Sequence, residues 1–301
     1  MINKYTNKQR GLLAVVLAIA MVFAGAAFVA AEVDAYSGSQ VENGTTITVD
    51  NFSDFNEAMG DSNYTKIVMA ADIDVGSTTY NITKNLDLGT YTLSGSHNIA
   101  FYAYNSITIE NGTLKNVAPA GNLRVIQNVT ATPINYIGVT FASDNASMVS
   151  NGASSGFYDN CVFDTKGNVG LYINDGAGSV TVDDCTFTGA YGEGAISVED
   201  STPTIEINSD VPSLNLWLGA NEDLDGITGT GSIDKTTVTP LGANNTITGE
   251  LNIPGDEVVI AGNITVAETG KIVVDGDFVV PAGSTLTNNG EMEVSGEVTV
   301  N

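Results

Sequence analysis

The sequence predicts an all-β chain whose central part winds as a parallel β-helix, and three observations predict it. Beyond residue 31 the chain is rich in Thr, Val, Ile, Asn and Gly in short alternating runs, with almost no helical periodicity. A strand–corner–strand template recurs four times at intervals in the twenties. Within each copy the alternation changes phase, which one straight strand of period two cannot do.

The copies are ITIENGTL (107–114), INYIGVTF (134–141), FYDNCVF (157–163) and VTVDDCTF (180–187). In the last, Val180 and Val182 share a face, and then Cys185 and Phe187 do, so the chain must turn a corner between them. The corner falls in turn on Asn111, Gly138, Asn160 and Asp184. Gly, Asn and Asp best tolerate the positive φ such a corner needs. Leu114, Phe141, Phe163 and Phe187 follow at spacings of 27, 22 and 24 residues, a predicted core ladder. Cys161 and Cys185 join that ladder, in the inward place taken by Gly112 and Val139 elsewhere. KNLDL (84–88) fits the second half of the template one turn earlier. A single coil cannot bury its apolar face; stacking on neighbouring coils supplies the core.

These repeats, with the entry VDNFSDFNEAM…NITKNLDLGTYTLSG, resemble the right-handed β-helix superfamily that includes pectate lyases, over roughly residues 47–210. The resemblance implies right-handed winding and a capped N-terminal end. The one helix the sequence predicts is NFSDFNEAMG (51–60), with Asn51 or Ser53 as cap and Phe52, Phe55 and Ala58 on one face.

From about Thr246 the rhythm changes. Units open at Gly249, Gly262, Gly276 and Gly290, spaced 13, 14 and 14, each predicted to hold two short strands around a Gly turn. They resemble the Gly-punctuated short repeats of adhesin-like surface proteins. The expected division is a signal peptide over 1–31, with a second exit after Ala35, a capped parallel β-helix over 36–245, and short β repeats over 246–301.

The leader reading rests on Lys4, Lys8 and Arg10 followed by an uncharged apolar run from Gly11 to Ala31 that ends in small residues. KQRGLLAVVLAIAMVFAGAAFVA resembles the signal peptides of archaeal surface-layer glycoproteins. The same run is long enough to stay as an uncleaved membrane-spanning anchor, or as a pilin-type assembly helix cut at Gly11. The expected location is therefore extracellular or at the cell surface. The net charge is −25, and the leader holds three of the ten basic groups and none of the acids. So acidic a chain repels nucleic acid and anionic lipid, and contact with a membrane is expected only through an uncleaved leader. Two cysteines are too few for a disulfide framework. Neighbouring strands nevertheless lie close enough for a Cys161–Cys185 bridge, so both a bridge and a pair of buried thiols remain open.

The resemblance directs attention to polysaccharide chemistry. Lyases of this fold use an Arg or Lys beside calcium-binding acids, and hydrolases of this fold use an Asp trio with a Gly-His-Gly. Arg124 is the only arginine beyond the leader and His97 the only histidine, and neither sits in such a motif. No catalytic residue is assigned and no cofactor is required. NEDLDG (221–226) places Asn221, Asp223 and Asp225 at the spacing of a calcium loop, but Ile227 and Ser232 depart from that pattern. Asn-x-Ser/Thr acceptors occur at Asn43, Asn51, Asn63, Asn81, Asn128, Asn145, Asn244 and Asn263, and also at the corner Asn111. The expected function is a non-catalytic structural or adhesin-like surface solenoid that meets glycans, envelope components or like subunits. The alternatives are a secreted carbohydrate-active enzyme or glycan-binding module, and a pilin-like filament subunit.

Overall fold

The computed structural model describes residues 41–42, 46–119, 123–152, 154–167, 169–174, 176–189, 191–199, 204–218, 227–241 and 245–301. The leader, the calcium candidates Asn221, Asp223 and Asp225, and the acceptors Asn43 and Asn244 lie outside them. No helix among the described residues is long and apolar enough to cross a membrane.

Residues 46–301 form a parallel β-solenoid of about eleven turns. Three sheets run along the stack, of ten, six and twelve strands, all parallel except where Val41–Glu42 joins the ten-stranded sheet antiparallel to Thr46–Val49, with a further three-stranded sheet near the C-terminal end. Each template copy places its first strand in the ten-stranded sheet and its second in the six-stranded one. The third strand of each coil belongs to the twelve-stranded sheet, as in Leu123–Asn128, Ser147–Asn151 and Val169–Ile173.

Registry between coils is set by what points inward. Leu93, Leu114, Phe141, Phe163 and Phe187 are consecutive partners in the six-stranded sheet. Parallel in-register pairing puts like on like, so aromatic rings stack. Phe141 and Phe163 are 5.1 Å apart at 25°, and Phe163 and Phe187 4.8 Å apart at 6°. Aromatic pairs of this kind are favourable beyond the area they bury. The corners before this column lie in the left-handed region, with φ of 63° at Asn111, 63° at Gly138, 50° at Asn160 and 47° at Asp184. At Gly112 the reason for glycine is contact: a Cβ there would lie 2.5 Å from the Tyr91 carbonyl.

Three details differ from the sequence reading. KNLDL belongs to the first half of the template: Leu86 pairs with Ile67 and Ile109 in the ten-stranded sheet, and the next corner carries Gly89 at φ 60°. A Leu-x-Leu pair has the same period in either half, so only the position of the corner glycine distinguishes them. The helix spans Phe52–Gly60, and Asn51 caps it by accepting from Asp54 N at 3.0 Å. Its buried side chains are Phe55, Ala58 and Met59, while Phe52 is 41% exposed and meets the edge of Tyr80.

The third concerns the C-terminal glycines, whose spacing is not the stacking period. Glu250, Lys271 and Glu291 are successive partners, as are Asn263 and Thr285, so coils repeat every 20 to 22 residues. Gly276 lies inside the strand Lys271–Val280, whereas Gly249, Gly262 and Gly290 lie between strands. Turn glycines and a mid-strand glycine therefore combine into an even spacing that no single element repeats. Strands 250–260 and 271–280 continue the twelve-stranded sheet that begins near residue 80.

Candidate binding face

The outer face of the twelve-stranded sheet carries the most chemically varied side chains described. Tyr102, Gln127, Ser150, Tyr172, Ser197 and Asn215 are partners on consecutive strands. They point outward because the residues flanking them, such as Leu171 and Ile173, fill the core. Glu199 and Trp217 form the next outward pair. Trp217 Nε1 donates to Ser197 Oγ at 3.0 Å, which draws the indole toward the neighbouring strand, and Ser197 is fully buried although it faces outward. The Tyr172 hydroxyl donates to Glu199 Oε2. Burial and that carboxylate push the Tyr172 hydroxyl up, with Arg124 acting in the opposite sense. Tyr172 therefore stays protonated at physiological pH and serves as a donor rather than a base.

Arg124 differs from four of the lysines. Lys66, Lys115, Lys235 and Lys271 each pair with a carboxylate on another coil. Arg124 instead donates from Nη1 to Gln127 Oε1 at 3.3 Å, and its Nε is buried with no hydrogen-bond partner among the described residues. The strip thus offers half-buried aromatic residues, Tyr172 and Trp217, on strands two apart, about 10 Å across the sheet, and offset by two residues along it, amid guanidinium, amide and carboxylate groups. Rings that can stack on the apolar face of a pyranose, beside donors and acceptors for its hydroxyls, are the components of sugar recognition.

His97 belongs to a different surround. Its Nδ1 meets Thr79 Oγ1 at 2.7 Å. Asn116, buried at the following corner, donates to the backbone carbonyls of both His97 and Arg124, so it joins their main chains.

The cysteines lie in adjacent coils as free, buried thiols. Cys161 Sγ reaches the carbonyls of Asp159 and Tyr136, and Cys185 Sγ those of Asp183 and Tyr158, all at 3.2 to 3.5 Å. The hydrogen bond to Cys185, and then burial, push the Cys161 thiol well above its ordinary value. The same hydrogen bond lowers the Cys185 thiol, so what protects both thiols is burial, at 1% and 7% exposure, and a thiol reagent is expected to label neither cysteine in the native protein and both after unfolding in guanidinium. Fast native labelling, or no thiol released on unfolding without reductant, would contradict the free buried pair.

Among the glycan acceptors, Asn63, Asn81 and Asn263 are exposed. Asn51 is exposed, but its amide donates to Asp50 and Asp54 beside the helix it caps. Asn145 is half-buried and donates to the Ala118 carbonyl. Asn128 is a correction: it is 0% exposed and built into a core amide network, because its position in a strand points the side chain inward.

Tyr102, Gln127, Tyr172, Glu199 and Trp217 escaped the sequence reading because they lie on the third strand, which the two-strand template omits. The signal was present in IAFYA, LRVIQN, VGLYI and LNLWL, each alternating about a polar or aromatic outward residue.

Residues 46–189 match the family described as "Putative pectate lyase-like adhesive domain". Over these residues the β-solenoid is similar to the pectate-lyase-like fold. That description is adhesive rather than catalytic and points to an adhesin-like surface protein. No curated protein and no solved structure matches the chain.

Proposed function

We propose that the protein is a non-catalytic surface adhesin that holds hydroxyl-rich, uncharged glycans against the outer face of its twelve-stranded sheet. The observation that carries this reading is the strip around Arg124, Gln127, Tyr172, Glu199 and Trp217, set on a rigid parallel sheet. A sheet fixed by neighbours on both sides presents such groups without ordering cost at binding. The net charge of −25 disfavours polyanionic glycans over neutral ones. Export through residues 1–31, an envelope location and sugars on exposed acceptors such as Asn63 complete the proposal.

The grouping of Arg124, Tyr172 and Glu199 also favours a second reading, carbohydrate cleavage. One experiment separates the two. The protein is applied to an array of neutral and acidic glycans, and the bound glycan is recovered and weighed by mass spectrometry. The adhesive reading expects intact neutral glycan, with binding weakened about tenfold by Trp217→Ala, the scale of losing an aromatic anchor. Shortened or unsaturated products would establish the enzyme instead. Undiminished binding by Trp217→Ala would remove the glycan from this face.

A further inference from the structure

The three sheets do not end together. The six-stranded sheet stops at Thr186–Phe187, while the ten-stranded and twelve-stranded sheets continue past it. The chain uses residues 184–193 to pass from Val180–Asp183 to Gly194–Glu199, but in the next coil only residues 209–213 separate Ile205–Asn208 from Leu214–Leu218. The shortened coil supplies no strand to cover Thr186–Phe187. What remains is an open notch of about 440 Å³, lined by residues 184–187 and 208–210.

The backbone in the notch has a defined polarity. In a parallel ladder, alternate residues bond to opposite neighbours. Thr186 N and Thr188 N donate backward, to Cys161 O at 2.8 Å and Phe163 O at 3.1 Å. Cys185 and Phe187 therefore face forward. Cys185 N–H is taken by Ser209 Oγ at 2.8 Å. Among the described residues, no further strand meets the Cys185 carbonyl or the Phe187 N–H and carbonyl. One residue of an added strand, set between them, would donate to Cys185 O and accept from Phe187 N.

That residue pairs with Thr186, so the residue after it pairs with Phe187, and the side chains favour a particular residue at that second position. Phe187 is the last ring of the Phe141–Phe163–Phe187 column and lines the notch. Asp184 and Asp210 are exposed at its walls. Hydrogen bonds from the Ser232 hydroxyl and backbone N–H hold the Asp210 carboxyl below its ordinary value, so it is charged.

We propose that this notch accepts an extended peptide segment of a partner protein, which adds as a parallel strand to the free edge at Thr186–Phe187, stacks an aromatic residue on Phe187 and sets basic residues against Asp184 and Asp210. Strand addition of this kind takes affinity from main-chain hydrogen bonds and specificity from alternate side chains. The acidic walls also keep the edge from pairing with a second copy of this acidic chain. The notch is separate from the glycan face, and the proposal does not rest on that reading.

The test uses a fluorescent hexapeptide with one phenylalanine between two lysines, followed by anisotropy against the protein. Two control peptides replace the lysines by glutamates or methylate the amide nitrogen of the lysine before the phenylalanine, which removes the donor to Cys185 O. Asp184→Asn with Asp210→Asn removes the wall charges and keeps a residue tolerant of positive φ at 184. Saturable binding is expected, weakened about tenfold or more by N-methylation, by the glutamate exchange and by the double variant, and unchanged by Trp217→Ala. Phe187→Ala is expected to abolish it. Absence of binding overturns the proposal, as does binding indifferent to N-methylation or to the double variant. Glycan bound in the notch in place of peptide would overturn it too.

Discussion

Phe163→Ala is expected to destabilise the protein by about 3–5 kcal/mol, the range for emptying a large core aromatic site. Phe163 is fully buried, stacked between Phe141 and Phe187, and packed against Tyr158 at 5.8 Å. The stack cannot close over the hole, because backbone pairing fixes the coils on both sides: Val162 N bonds Val139 O, and Thr186 N bonds Cys161 O. Phe187→Ala should cost less, since Phe187 is only half-buried and has one stacked neighbour in the column. The urea midpoints of the purified variants measure both. A Phe163→Ala loss below that of Phe187→Ala would mean that the column is not the core element described here.

The second large effect is expected at Asn128. Its Oδ1 accepts from the Tyr136 hydroxyl at 2.5 Å, and its Nδ2 donates to Asn151 Oδ1 at 2.6 Å. Asn151 also receives the Tyr158 hydroxyl and anchors the following loop through the Ser154 carbonyl. Tyr136 and Tyr158 are stacked at 5.0 Å and wholly buried. Desolvation pushes both hydroxyls up, so they remain donors that need acceptors. Asn128→Leu strands the Tyr136 hydroxyl in the core and removes the donor to Asn151. Each unsatisfied group costs about 1–3 kcal/mol, so a loss of about 2–4 kcal/mol is expected from the urea midpoint. Peptide mapping of the native protein should likewise find Asn128 without sugar. A near-neutral Asn128→Leu, or a glycan at Asn128, would contradict the buried network.

Part of this was legible in the sequence for a physical reason. The corners Asn111, Gly138, Asn160 and Asp184 combine a fixed residue chemistry with a change of alternation phase, and both are local signals. The Leu114–Phe187 ladder repeats because in-register stacking puts like side chains together. The third strand repeats just as regularly in space, but the loops leading into it differ in length from coil to coil. Its period is blurred, and with it the outward residues Tyr172 and Trp217. Asn128 was misread for a related cause. An Asn-Val-Thr tripeptide looks the same at a surface and in a core, and only the strand's facing direction distinguishes them. The C-terminal glycines misled in the opposite way, because their even spacing combines turns with a position inside a long strand. The notch at Phe187 left no mark, since it depends on a coil that lacks a strand.

Trp217 is the only tryptophan in the chain, so its fluorescence reports the proposed glycan face alone. The most direct measurement is its emission during titration with the neutral glycan selected on the array, beside calorimetry of the same mixture. A saturable change in emission with the midpoint found by calorimetry is the predicted result. Calorimetric saturation with unchanged Trp217 emission would contradict the account and move the adhesive surface elsewhere on the solenoid.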